Sequence, residues 1–236
     1  LSRLIYIFPF LCILFTENRQ EADNFIFENE PFLEYKNEKI YTSTLIEKKP
    51  TIDGVLDEDI WIDNNKETYI SDFNQQEPYN LKEATFPTYV KIVHDYNNIY
   101  IAAKLYDSCP DSITGFLSRK DNWEESFSNR SDWFNIEFDS KHDHQTAYSF
   151  AVNALGVKSD QMIFLDSEYD MEYNPVWEAK VTRTGDCENG GWLNIEMEIP
   201  FKMLNITQVE NPWGMNIHRY IYRYNEYDSW VTTPRE

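Results

Sequence analysis

From Ile52 onward, short apolar runs are separated by clusters of Asn, Asp, Gly and Pro, the rhythm of an all-β chain. The clearest run is Trp192 to Ile199. Leu193, Ile195, Met197 and Ile199 fall on one side and Asn194, Glu196 and Glu198 on the other, the period-2 signature of a half-buried antiparallel strand. Pro200 should end it, with one helical turn over Phe201 to Leu204. Val90 to Ile92 reads as a strand, and Asp95-Tyr96-Asn97-Asn98 supplies hairpin chemistry before Ile99 to Tyr106 returns, because Asn and Asp tolerate left-handed backbone and bond their own backbone. Trp133 to Asp139 and Ala147 to Asn153 pair around the polar turn Ser140 to Gln145, and Gly156 permits a reversal into Val157 to Phe164. Trp213 to Tyr224 is expected as the last long strand. Leu56 to Ile62 is expected to form a helical turn, with Asp57, Glu58 and Asp59 at its N-terminus and Trp61 plugging the end of the sandwich. About eight antiparallel strands without αβ alternation predict an all-β, jelly-roll-like, two-sheet antiparallel β-sandwich with short helical turns.

The first 44 residues break this rhythm. Residues 1–16 carry one charge, Arg3, before an apolar run from Leu4 to Phe15 interrupted by Pro9. Such a run is too short to span a bilayer and suits the core of a secretory signal, so 1–16 is expected to be a signal peptide or membrane anchor. Residues 17–44 are polar and acidic, with Phe25, Ile26 and Phe27 as an apolar patch, and read as a leader or linker. Residues 45–236 are then the sandwich, a length that one core can fill.

A formal net charge of -20 argues against nucleic acid as a partner, since phosphate backbones are bound by Lys and Arg that displace counterions. Membrane contact is expected only through the N-terminal segment or through a domain beyond this chain. Of the 3 cysteines, Cys12 lies in the apolar run, while Cys109 and Cys187 fall in loops where an oxidising compartment would permit a bridge.

Sugar recognition needs aromatic faces for pyranose C–H groups beside polar groups that match hydroxyls. Two clusters offer both: Arg119-Lys120-Asp121-Asn122-Trp123, and Tyr169, Tyr173 and Trp177 interspersed with Asp166, Asp170, Glu172 and Asn174. Trp177 also reads as the start of a strand, packed inward. Arg219 and Arg223 share a strand face with Met215, Ile217 and Ile221, so burial there would require carboxylate partners; Glu137, Glu178 and Glu226 are the candidates for a structural ion-pair network. A guanidinium clamp on ligand is the functional alternative. Calcium is a candidate cofactor because Asp107 to Asp111 and Asp139 to Asp143 each place carboxylates in a turn, but without EF-hand spacing they read as solvated turn acids. His94, His142, His144 and His218 form no zinc pattern with the cysteines. No catalytic motif is present, and no catalytic residue is assigned.

Pro50-Thr51-Ile52-Asp53-Gly54-Val55-Leu56-Asp57-Glu58-Asp59-Ile60-Trp61 and Trp213-Gly214-Met215-Asn216, continuing to Arg219, Arg223 and Glu226, frame a longer pattern. Between them lie Tyr100-Ile101-Ala102-Ala103, Ser131-Asp132-Trp133, Phe150-Ala151-Val152-Asn153, Gly156, Asp160, Val176-Trp177-Glu178-Ala179 and Gly191-Trp192. In that order the chain resembles the family 9 carbohydrate-binding domain (a CBM9/DOMON-like sandwich), in the version found at the N-terminus of larger bacterial envelope proteins. The resemblance implies a non-catalytic module that holds an oligo- or polysaccharide between two tryptophans, with Trp123 and Trp177 as the pair. It also implies a periplasmic or outer-membrane setting, an association with glycoside hydrolases and polysaccharide breakdown, and a C-terminal domain of a longer chain as partner. A structural or assembly domain without sugar binding is the alternative. A haem-binding sandwich, with Met215 and His218 as axial ligands, is a third.

Overall fold

The structure is a computed structural model that describes the backbone of residues 11–15 and residues 39–62, 68–128, 130–165, 168–206 and 212–232. The apolar run before Leu11, the Phe25 to Phe27 patch and Asp166 lie outside the described residues.

Two layers face one another. The first has the order β10 (Glu178–Asp186), β11 (Gly190–Pro200), β5 (Asn98–Asp107) and β4 (Thr88–His94), all antiparallel. The second has β12 (Trp213–Ile221), β6 (Trp133–Asp139), β7 (Ala147–Asn153), β8 (Lys158–Phe164) and β9 (Glu168–Asp170), also antiparallel. Beside β12 lies β13 (Glu226–Ser229), which pairs in turn with β3 (Asn74–Glu77). Along one side the layers are joined by β2 (Tyr41–Leu45), parallel to both β4 and β1 (Leu11–Phe15), while β1 runs antiparallel to β12. The ladder therefore takes in backbone from both segments that precede residue 45.

Alternation along the strands decides what is inside. Val90, Ile92, Ile101, Ala103, Leu193, Ile195 and Met197 of the first layer meet Phe134, Ile136, Phe138, Phe150, Met215 and Ile217 of the second in one core. Fully burying each large side chain contributes roughly 1.5–3 kcal/mol. The expected hairpin is present, with Asp95 Oδ1 accepting from the backbone N–H groups of Asn97 and Asn98 at 2.7 Å each. Gly156 sits at φ 80°, a left-handed angle that favours glycine, and the Asn153 side chain closes that turn by accepting from Leu155 and Val157 N–H groups.

Two expectations are corrected. The strand from Trp213 stops at Ile221, because a 3-10 turn over Tyr222–Tyr224 and a left-handed Asn225 reverse the chain into β13. Within Leu56 to Ile62 the expected turn is present, closed by Ile62 N–H to Glu58 O, but it puts its tryptophan elsewhere. Trp61 from that turn lies on the outer face of the first layer, against Val93, Tyr100 and Ala102, not at the end of the sandwich. Glu196 clamps the segment there, accepting from Asp53 N–H, Gly54 N–H and Trp61 Nε1. Burial pushes the Glu196 carboxyl pKa up, and those donors oppose the shift.

A disulfide links Cys109, beside the 3-10 turn Pro110–Ser112, to Cys187 in the β10–β11 turn, across 78 residues of sequence. Such a link mainly restricts the unfolded chain. Replacing both cysteines with serine is expected to lower stability by about 2–4 kcal/mol in urea unfolding; an unchanged midpoint would show that the link contributes nothing.

Candidate functional site

Of the 7 tryptophans, Trp61, Trp133, Trp177, Trp213 and Trp230 are buried, leaving Trp123 and Trp192 half-exposed. Trp192 packs edge-on to Tyr106 at 5.1 Å and tilted against Tyr89 on the outer face of the first layer. Trp123 belongs to a cleft.

The cleft grows from the outward side of the alternation in the second layer. In β6, Phe134, Ile136 and Phe138 point to the core, so Trp133, Asn135 and Glu137 point out; in β12 the same rule turns Asn216, His218 and Tyr220 outward. Register places Trp133 opposite Tyr220, and Tyr220 opposite Tyr227 of β13. A short helical turn, Trp123–Ser126, caps this surface, with Asn122 as N-cap accepting from Glu125 N–H. Phe127 anchors the turn, buried beneath Trp123 with the rings stacked at 4.8 Å.

Together Trp123, Trp133, Tyr220 and Tyr227, with Glu77, Ser128 and Asn225, line a cleft of about 290 Å³. Trp133 stacks on Tyr220 at 5.6 Å and 22°, and meets Trp123 (5.5 Å) and Tyr227 (5.6 Å) each at 59°. Behind Tyr227 the His218 ring stacks at 5.2 Å, and its nitrogens contact Ser229 Oγ at 2.8 Å and Glu137 at 3.5 Å. Asn135 donates to Glu137 and accepts from Ser149 Oγ, each at 3.0 Å. Burial raises the phenol pKa values of both Tyr220 and Tyr227, so both enter the cleft as neutral hydroxyls.

The sequence-derived residues scatter around this site. Trp123 lines it. Trp177, only 2 % exposed, does not: its indole is in the core and donates to Asp160 at 2.6 Å, so it presents no face for stacking. Tyr173 is half-buried against Tyr148 and donates to Met203 O. Tyr169 is 54 % exposed on β9, and Arg119 is exposed in its loop. Asp121 ties its loop to β8, accepting from Asp160 N–H. Lys120 pairs with Asp160 at 2.8 Å and donates to Asn174 Oδ1 at 2.5 Å, so the two predicted clusters do meet, but through a lysine–amide hydrogen bond instead of a pair of rings. Burial raises the Asp160 carboxyl pKa, and the bonds from Lys120 and Trp177 oppose that shift.

The arginines find other hydrogen-bond partners than those expected, and of the expected carboxylates Glu226 acts on Arg219 as a nearby charge. Arg223 makes a bidentate pair with Asp107, 2.7 Å for both bonds. Arg219 crosses the sandwich to donate to the carbonyls of Phe86, Pro87 and Tyr106 and to Thr88 Oγ1. Glu226 accepts from Thr85 N–H and Oγ1, Glu137 lies on the opposite face of its sheet, and Glu178 is exposed on β10. Asp107 and Asp139, expected as solvated turn acids, are fully buried; Asp139 accepts from Asp143 and His144 N–H groups. Met215 faces the core while His218 faces outward, so the two cannot ligate one haem iron. Among the described residues no group of three or more His, Cys, Asp or Glu is placed to hold a metal ion.

No family model and no curated protein matches this chain. Among solved structures it is similar to a Bacteroides uniformis protein described as a candidate carbohydrate binder, at 13% identity and TM-score 0.48 over 70% of this chain and 80% of that one. It is also similar to a family 9 carbohydrate-binding module from Caldicellulosiruptor kristjanssonii, in two structures. With cellotriose the figures are 14% identity and TM-score 0.44 over 77% and 78% of the chains. With glucose they are 14% and 0.45 over 77% and 80%.

Proposed function

We propose that this chain is a saccharide-recognition module whose ligand enters the cleft between Trp123, Trp133, Tyr220 and Tyr227. The observation that carries the reading is the convergence of these rings with Glu77, Asn225 and Ser128, which combines apolar faces for sugar C–H groups with donors and acceptors for hydroxyls. The Cys109–Cys187 disulfide supports an exported protein, because such bonds persist in oxidising compartments. A place in the bacterial envelope, within a longer protein that handles polysaccharide, is part of the same proposal, and fractionation of the chain with its own N-terminal segment tests it.

A glycan array followed by titration calorimetry tests the central claim. Saturable binding, weakened about tenfold or more by Trp123→Ala and retained by Trp123→Phe, is the expected result. Silence across the array would remove the saccharide reading and leave the domain a structural role.

A further inference from the structure

A second group of aromatic and polar side chains lies on the far side of the sandwich from the cleft. In the first layer Val90, Ala103, Leu105 and Leu193 point to the core, so Tyr89, Lys104, Tyr106, Trp192 and Asn194 point out. Register sets them in adjacent rows: Lys104 has Tyr89 on one side and Asn194 on the other, and Tyr106 pairs with Trp192. The segment that carries Trp61 covers Val93, Tyr100 and Ala102 of the same face, whereas Tyr89, Lys104, Tyr106 and Trp192 stay half-exposed. Tyr106 and Tyr89 meet the Trp192 ring at 69° and 59°, so neither lies parallel over the indole. Among the described residues Lys104 Nζ, Tyr89 Oη and Trp192 Nε1 take no protein partner, and none of them is sealed from solvent. All are donors. The outward charges around them are Lys91, placed over the Tyr69 ring, and the exposed Lys180 of β10; Glu196 is taken up by its clamp on Asp53, Gly54 and Trp61. At the β10–β11 turn Asp186 accepts from Glu188 and Asn189 N–H groups. An unpaired ammonium among free donors is complementary to a ligand group that only accepts, a carboxylate or a sulfate. The net charge of -20 opposes anions at long range, so an anion that binds is held by contact with this face.

We infer that the outer face of the first layer is a second saccharide site, separate from the cleft, that takes a glycan carrying carboxylate or sulfate groups. Lys104 pairs with the anionic substituent, Tyr89 and Trp192 donate to neighbouring oxygens, and the indole supports the sugar ring beside them. The site uses no residue of the cleft, so it stands or falls apart from the reading given above.

The intact chain is titrated with a uronic-acid trisaccharide, a sulfated trisaccharide and cellotriose, the two acidic probes deciding between the anions. Binding of an acidic sugar should weaken about tenfold with Lys104→Gln and with Trp192→Ala, and persist with Lys104→Arg. Trp123→Ala, in the cleft, should leave that binding unchanged. Acidic-sugar binding that survives Lys104→Gln would overturn the inference, and so would its loss with Trp123→Ala, which would put the ligand in the cleft. Silence of both acidic sugars would overturn it too, while cellotriose binding weakened by Trp123→Ala alone would leave the cleft reading in place.

Discussion

Replacing Asp107 with alanine is expected to lower the unfolding free energy by about 3–5 kcal/mol, the usual cost of removing one partner from a buried ion pair. Asp107 has no solvent exposure, receives both terminal nitrogens of Arg223 at 2.7 Å, and also accepts from Cys109 N–H. The paired carboxylate raises the Arg223 pKa still further. Arg219, wholly buried and with its pKa lowered by desolvation, draws on the same carboxylate at longer range. The truncation therefore strips counter-charge from two guanidinium groups that remain ionised at any accessible pH. Asp111 is the control. Its side chain is 61% exposed and lies 4.0 Å from Arg183, so Asp111→Ala should change stability by less than about 0.5 kcal/mol. Urea unfolding of the two variants under one buffer decides the matter: equal shifts would mean that the Arg223 pair does not hold the fold.

The second large effect is a loss of stability on raising pH through neutrality, with Asp228 as its source. Burial, then the neighbouring Glu226, pushes its carboxyl pKa up to about 8 against the opposing pull of Arg219. Among the described residues neither carboxyl oxygen accepts a hydrogen bond, so the protonated acid is the form suited to the site, with Glu226 as the acceptor for its proton. A folded pKa above the unfolded value means that the native state holds an extra proton. The stabilisation is complete below about pH 4 and lost as pH rises through about 8. Asp132, pushed up to about 6 by burial, adds to the loss at lower pH. His94, lowered to about 4 by burial, acts with the opposite sign: its contribution is present above the unfolded value and lost as pH falls through 4. From about pH 7.5 to about 8, beyond the transitions of Asp132 and His94, the slope should approach about 1 kcal/mol per pH unit. Asp228→Asn, which imitates the protonated acid, should flatten that slope and be the more stable protein at the alkaline end. Parallel slopes for the two proteins would remove Asp228 as the cause.

The sandwich was readable where one face of a strand is apolar. Phe134, Ile136 and Phe138, or Leu193, Ile195 and Met197, announce their strands because the core selects every second residue. β3 and β13, Asn-Gln-Gln-Glu and Glu-Tyr-Asp-Ser, escaped because they are held by ladder bonds and buried polar groups and lack an apolar alternation. The cleft was half legible. Trp123 stands out as an aromatic in a polar loop, and the outward positions of Trp133 and Tyr220 follow from the same alternation that identifies the core. Their meeting with Tyr227 and Glu77 does not follow, because it depends on β12 having β6 on one side and β13 on the other, a pairing no local pattern encodes. Trp177 misled for a related reason. Its buried partner, Asp160, sits 17 residues away and turns a promising indole into a core hydrogen bond.

The reach of Arg219 across the layers has a consequence for how the cleft works. Its guanidinium ties β12 to the carbonyls of Phe86, Pro87 and Tyr106, immediately beside Tyr220. The strand that carries Tyr220 is thereby fixed to the first layer from its inner face, while β6 and β13 hold it on either side within its own sheet. The empty and occupied shapes should accordingly superpose within about 1 Å of backbone, association should be a single kinetic step, and little ordering entropy should oppose it.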